Sequence, residues 1–399
     1  MRLRRRDPCV IEINDEVMPD FRALLTGTMS IGKRTRISLL CPISGDRIAL
    51  SPDELALVAS LGPEAWHDSE TLIQDGCVGA GAVDSLVERR VLVSDRDNPA
   101  EAALREGEAR LEATGWHPLA AIYHGMTRWQ GVVGDEGSRE HNDAAELARL
   151  TAHAEEHGPL APHFPQSEDA LSRLELPIEP LDDAFARILR ARRTTRHFDT
   201  TRPLPLCALN RVLYGTFGAL GTQELAPGMV AVKRSSASGG ALHPIEAYPL
   251  VINVAGLVPG FYHYESGSHA LALLKDMAEA DARALASALT IGQTYFADAQ
   301  VLVFHVARLD RHHWKYRRHP KAYKAVLLDS GHLSQTFYLL AAERGLGAYY
   351  TAAINDADVG TQLGLDPLTQ IAIGANGLGI IDPTQDALHL QAEPWRAMR

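Results

Sequence analysis

The chain has 399 residues, with 39 Lys+Arg against 50 Asp+Glu and a formal net charge of −11, a balance that argues against non-specific nucleic-acid binding across its surface. Hydrophobic content of 46% and charged content of 22% are those of an ordinary globular protein, and the length favours about two or three domains. No apolar run approaches the roughly eighteen residues that span a bilayer, and the start, MRLRRRDPCVIEI, lacks the apolar core of a signal peptide.

Cys9, Cys41, Cys77 and Cys207 are widely separated, with no C-x-x-C and no cluster with His, so neither a disulfide framework nor a structural zinc site is expected and a reducing cytoplasm suits the chain. From about residue 20 to 94, short apolar runs alternate with amphipathic segments. Ser51-Pro52-Asp53-Glu54 opens a helix: serine caps, proline takes the first helical position, and the acids meet the positive end of the dipole. A second helical pattern from about Val78 to Arg90 leads to a short strand near Val91-Leu92-Val93. Together they predict a winged-helix-like module over 1–94. The module resembles, loosely, the winged-helix peptide clamps that bind leader peptides by adding a strand to an exposed edge. The same shape also binds DNA, but Asp84 and Glu88 beside only Arg89 and Arg90 on the second helix match phosphate poorly, so the peptide reading is preferred. Residues 95–178 read as a linker or arm: a charged, solvated helix or connector over 95–114, then chain marked as extended by Pro118, Pro159, Pro162 and Pro165. Residues 179–399 form the α+β body.

Four stretches of that body bear chemistry. After the amphipathic segment Leu181 to Arg190 comes Arg192-Arg193-Thr194-Thr195-Arg196, three guanidinium forks and two hydroxyls suited to a phosphate, or equally to a cationic helix end on the surface. The loop Ser235 to Pro244 is small, hydroxylated and glycine-bearing, which permits close approach of backbone to a ligand but is also the composition of a flexible loop. A long helix from Lys321 to Arg344 carries an apolar stripe of Val326, Leu333, Phe337 and Leu340, widened by Leu328, Leu339 and Ala342, with Gly345 placed for a left-handed cap. The fourth is HHWKYRRHPKAYK (312–324), with five Lys/Arg, three His and no carboxylate in thirteen positions.

These segments occur in the order seen in SagB-like dehydrogenases, the FMN-dependent members of the nitroreductase superfamily that oxidise azolines in ribosomally made peptides. The chain resembles them over roughly 116–382, including Tyr123-His124-Gly125-Met126-Thr127-Arg128 ahead of the domain. The resemblance implies a nitroreductase-like three-layer α-β-α FMN domain, a homodimer with shared cofactor sites, a ribosomal precursor peptide as substrate and a cyclodehydratase partner. It assigns Arg192, Arg193 and Arg196 to the FMN phosphate and one ring edge, with Thr194 where serine is usual. Ser236, Ser238, Gly239, Gly240, Leu242 and His243 belong to a loop that lies along the partner subunit's flavin, Ala237 replacing the usual proline. Tyr350, Thr351 and Ala352 follow Gly345-Leu346-Gly347, where relatives lay backbone near flavin N5; the bulk of Tyr349-Tyr350 implies a reshaped pocket. Ile371 to Gly374 lacks the basic pair of simple nitroreductases.

Lys315 and Tyr316 match the acid/base pair of azoline oxidases. Aromatising an azoline removes a proton from one ring carbon and a hydride from the next, and a lysine acts as base only with a lowered pKa, which Arg317, Arg318 and Lys321 are expected to supply. Taken without the family, Lys315 is a solvated cation and Tyr316 a packing residue. Two other readings stand beside this one: an NAD(P)H-dependent flavin reductase acting on an activated alkene, quinone or nitro group, and a non-catalytic peptide-binding scaffold.

Overall fold

The structure, a computed structural model, describes residues 1–19, 31–74, 79–134, 143–164, 169–177 and 182–384. Cys77, Val78, Pro165 and Leu181, used in the sequence reading, lie outside them. Contacts divide the chain into one unit of residues 1–128, 309–325 and 367–369 and another of 129–308, 326–366 and 370–399.

The first unit opens with strands β1 (Arg2–Arg5), β2 (Val10–Pro19), β3 (Ile31–Cys41) and β4 (Asp46–Leu50). Helix α1 (Pro52–Ser60), strand β5 (His67–Asp68), helices α2 (Ser69–Gln74) and α3 (Ala80–Glu88) and strand β6 (Leu92–Ser94) follow. Two antiparallel sheets result, ordered β2-β3-β4 and β5-β1-β6. Ser51 caps the helix as expected, and Glu54 completes a capping box, Glu54 N–H donating to Ser51 Oγ at 3.2 Å and Ser51 N–H to Glu54 Oε2 at 2.8 Å. Leu39, Cys41 and Leu50 of the sheet pack with Leu57, Val58, Leu86 and Val87 of the helices. Strand β5 and helix α2 lie between the two helices expected from sequence.

Helix α4 (Pro99–Thr114), whose charge predicts a solvated connector, instead buries Leu104 and Leu111 and sets Gly107 against Ile43. Its inward acids are partnered: Glu101 accepts the Ser94 N–H at 2.7 Å, and Glu108 accepts the Asp7 N–H at 3.0 Å and pairs with Arg4. Partnering is what allows carboxylates on a buried face. Helix α5 (Pro118–Thr127) corrects the reading of Pro118 as a mark of extended chain, because proline sits at its first turn, where no N–H is needed.

The second unit contains helices α6 (Asp143–His157), α7 (Ala184–Ala191) and α8 (Leu206–Phe217), the hairpin β7 (Gly221–Ala226) and β8 (Met229–Lys233), and strands β9 (Ile245–Val251), β10 (Gly260–Glu265) and β11 (Ala270–Asp276). Helices α9 (Glu279–Leu289) and α10 (Thr294–Ala297) precede strand β12 (Val301–Arg308). Helix α11 (Leu309–Lys315) belongs to the first unit; then come α12 (Ala322–Glu343), β13 (Gly347–Thr351), α13 (Asp356–Leu363) and β14 (Gln370–Gly379). The main sheet has the order β11-β10-β9-β12-β14-β13, all antiparallel.

Strand β12 reads VLVFHVAR, and its first seven residues are buried, the signature of a strand covered on both faces. Alternation assigns the faces. Leu302, Phe304 and Val306 join Ala282, Ala286, Leu289, Phe296 and Val359 of α9, α10 and α13 in one core cluster. His305 points the other way, edge-on to Phe217 of α8 and bonded to Ser330 of α12. Helices, sheet and helices therefore make the three-layer α-β-α arrangement. No helix of the described residues is long and apolar enough to cross a membrane.

Candidate functional site

Helix α12 gathers three of the predicted segments within the second unit. It ends where expected: Gly345 has φ +65°, and Leu346 N–H returns to the Ala341 carbonyl at 2.9 Å. Its stripe differs from the sequence reading at one position, since Val326, Leu333 and Phe337 are buried but Leu328 is 64% exposed. Asp329, Ser330 and Ser334 are buried instead. Asp329 is where the Ser/Gly loop attaches and Ser330 where Tyr350 does.

The Ser/Gly loop attaches first. Ser238 Oγ donates to Asp329 Oδ2 at 2.5 Å, Gly239 N–H donates to Asp329 Oδ1 at 2.9 Å, and His243 N–H donates to Ser238 Oγ at 2.9 Å. Ser236 Oγ meets Thr336 Oγ1 at 2.6 Å, and His332 Nδ1 meets the Ala237 carbonyl at 3.1 Å. The loop is thus tied down at both flanks and in its middle. It needs the ties, because Ala241 (φ +57°) and His243 (φ +48°) adopt the left-handed region beside Gly240 (φ +65°), at a cost of about 1 kcal/mol or more for each non-glycine. Leu242 is buried and exits into β9.

The cationic run leaves the end of α7. Arg192 sits over the Tyr338 ring of α12 at 5.6 Å, Thr194 Oγ1 lies 3.2 Å from Tyr338 Oη, and Thr195 N–H donates to the Ala348 carbonyl at 2.8 Å. Gly347 permits that approach, since a Cβ there would lie 2.6 Å from Thr195 Cγ2. Arg192, Arg193, Thr194 and Arg196 are half-buried, and the buried Thr195 hydroxyl has no hydrogen-bond partner among the described residues.

The two tyrosines of β13 part company by strand alternation. Tyr349 enters the core, fully buried, stacked on Phe296 at 4.1 Å and donating to the Phe296 carbonyl at 2.7 Å. Only Tyr350 turns toward α12. Its hydroxyl is 2.9 Å from Ser330 Oγ, which is 2.9 Å from His305 Nδ1. Burial pushes the Tyr350 phenol up and the His305 imidazole down to about 3, so this chain is neutral over the ordinary pH range. Gly374 makes room for it, because a Cβ there would stand 2.5 Å from Tyr350 Oη. Thr351 is buried and accepts the Ala353 N–H at 3.0 Å, while Ala352 is exposed. Asp329, Ser330, Thr336, Tyr338 and His305 were not singled out from sequence. The signal was there for Asp329 and Ser330, two polar residues on an otherwise apolar face.

Lys315 and Tyr316 fall in the first unit. Lys315, the last residue of α11, is exposed with Nζ 5.6 Å from the Tyr316 ring centroid, and Tyr316 is half-buried against His312 at 5.1 Å. The neighbouring cations are directed elsewhere. Arg317 donates to the Ala113 and Glu112 carbonyls, both at 2.9 Å, and Arg318 pairs with the Glu112 carboxylate. They complement the negative end of the α4 dipole rather than crowding Lys315. Beneath them His312 Nε2 lies 3.0 Å from the Ala322 carbonyl, and Trp116 packs on His124, His313 and Tyr323.

Two of these histidines carry a pH dependence. An ordinary imidazole titrates near 6.5; burial pushes His313 down to about 4 and His124 to about 3. The fold keeps them neutral while the unfolded chain takes up protons below about 6.5, so their stabilisation is complete above that pH and is lost as pH falls toward about 4. Stability should drop by up to about 1.4 kcal/mol per pH unit per histidine in that window. Urea melts of the whole chain and of His313→Gln measure it: the variant should show the shallower slope, and parallel slopes would refute the assignment.

An antiparallel sheet between two helical layers, with a cationic run and a small-residue loop meeting on one helix, defines a class. Residues 189–379, just under half of the chain, match the nitroreductase family. Trifolitoxin-processing protein TfxB of Rhizobium leguminosarum bv. trifolii is 31% identical over 146 residues, 36% of this chain and 39% of that one, so the match spans well under half of the relative. A Methanocaldococcus jannaschii protein named as a nitroreductase is 26% identical over 172 residues, 43% of this chain and 80% of that one. Among solved structures, a chain of the E. coli microcin synthetase McbBCD complex with truncated pro-MccB17 bound is similar with a TM-score of 0.46 and 19% identity, over 72% of this chain and 100% of that one.

Proposed function

We propose that the protein is an FMN-dependent dehydrogenase that matures a ribosomally made peptide by oxidising an azoline to an azole. The observation that carries the reading is the convergence on α12 of the cationic run, the Ser/Gly loop and Tyr350, inside a nitroreductase-family domain. The relative named for trifolitoxin processing supports a peptide substrate.

The residues fit the cofactor. Three half-buried guanidinium groups and the unpartnered Thr195 hydroxyl suit a phosphate, and the tethered loop offers backbone and small side chains to a flat ring. Arg192, Arg193, Thr194 and Arg196 hold the phosphate end; Ser236, Ser238, Gly239, Gly240, Leu242 and His243 hold a ring across a homodimer interface; Tyr350, Thr351 and Ala352 border its reactive edge. Bound FMN supplies a two-electron acceptor. Lys315 takes the ring-carbon proton of the azoline as a neutral amine, a form favoured by desolvation under the bound peptide rather than by Arg317 and Arg318, and Tyr316 orients the amine. The first unit binds the precursor's leader by strand addition at an outer strand of the β2-β3-β4 sheet, and a cyclodehydratase supplies the azoline. The setting is the cytoplasm.

The purified protein should be yellow and should remove the mass of two hydrogens from an azoline-bearing peptide in air. Anaerobic mixing with NADPH should leave the flavin coloured. Rapid bleaching, with reduction of a quinone or dehydroalanine, would establish the reductase reading instead; a colourless protein that takes up no FMN would establish the scaffold.

A further inference from the structure

Asp329 is only 3% exposed, and both its carboxylate oxygens accept hydrogen bonds from the loop, Oδ2 from Ser238 Oγ at 2.5 Å and Oδ1 from Gly239 N–H at 2.9 Å. A serine hydroxyl has one proton and two lone pairs. The proton of Ser238 is committed to Asp329, and one lone pair to His243 N–H at 2.9 Å. What the half-buried Ser238 has left is one lone pair. The loop cannot readily turn to change this, because Ser236 and Ala237 are bonded to Thr336 and His332 on the same helix.

We infer that Asp329 is a positioning residue that sets the hydrogen-bond polarity of Ser238, so that this position selects a donor group of the ligand, a flavin ring N–H or a ribityl hydroxyl, and not a phosphate oxygen. The inference rests on the loop being part of the flavin site. It differs from a tether, in which Asp329 does no more than hold the loop in place.

Asp329→Asn separates the two. An asparagine oxygen still accepts from Gly239, and its NH₂ donates to Ser238 Oγ, so the loop stays tied. Both Ser238 lone pairs are then used, and its proton faces the ligand. FMN affinity, read by quenching of flavin fluorescence as the cofactor is titrated into stripped protein, should fall at least about tenfold, which corresponds to about 1.4 kcal/mol. Ser238→Ala should lose a similar factor, and the double variant little more, because the two changes remove one interaction. Asp329→Ala should lose at least as much. Riboflavin, which lacks the phosphate, is the second probe: the Asp329→Asn penalty should be as large for riboflavin as for FMN. An Asp329→Asn protein that binds FMN like the wild type, with only Asp329→Ala weakened, reduces Asp329 to a tether and overturns the inference. So does a penalty that vanishes with riboflavin, since Ser238 would then face the phosphate. A wild-type protein that takes up neither flavin overturns the site reading itself, an outcome distinct from both.

Discussion

Lys315→Ala should leave the protein yellow and end azole formation, with turnover falling by about 10²–10⁴-fold, the range for loss of a positioned general base. The structure makes this a clean experiment. Lys315 closes α11 with its side chain exposed, so truncation removes no packing from the core. Arg317 and Arg318 hold the loop to the end of α4 through Glu112 and Ala113 and do so without Lys315. Lys315→Arg sharpens the result. It keeps the cation over Tyr316 but cannot give up a proton near neutrality, so it should be as inactive as the alanine variant if the amine is the base. Recovery of activity in the arginine variant would mean that positive charge alone is required. Normal turnover by the alanine variant would remove Lys315 from the mechanism. Flavin content, measured by absorbance, should be unchanged in both, which separates loss of chemistry from loss of cofactor.

Much of this arrangement is legible in the residues, and what is not has physical causes. The left-handed cap at Gly345 and the serine cap at Ser51 were legible because few residue types satisfy the local backbone there. The loop from Ser235 to Pro244 was visible by composition, but its anchor was not. Periodicity counts apolar positions, and on α12 the face turned to the loop and to β13 is lined by Asp329, Ser330 and Ser334, so Leu328 was assigned inward and is exposed. His305 gave no signal at all in a run of buried strand residues, because Ser330, which its ring meets in the fold, is 25 residues away in sequence. The charge of α4 misled for the converse reason. Glu101 and Glu108 read as solvent-facing, yet each meets a backbone N–H that only the folded first unit brings near.

The glycines of β14 were likewise legible only as small residues, and one of them should be the most sensitive position in the domain. Gly377 pairs directly with Tyr349 across the strands, and a Cβ at 377 would fall inside the space of the Tyr349 ring. Two effects compete in Gly377→Ala. Removing glycine from a strand should stabilise by about 0.5–1 kcal/mol through the unfolded chain. Against it, the ring has nowhere to go: it is fully buried, stacked on Phe296, edge-on to Phe198, and fixed through its hydroxyl to the Phe296 carbonyl. Overpacking of that kind costs about 1–3 kcal/mol and sometimes more, so the steric term wins. We expect a net loss of about 1–2.5 kcal/mol and a melting temperature lower by about 2–10 °C for a domain of this size. Tyr349→Ala alone should cost about 3–5 kcal/mol for the cavity it leaves. In that background Gly377→Ala should cost nothing or even stabilise, since the ring it collides with is gone. A double-mutant cycle by thermal melts measures the coupling. Additive losses would show that the new methyl is rejected by the sheet itself and not by Tyr349.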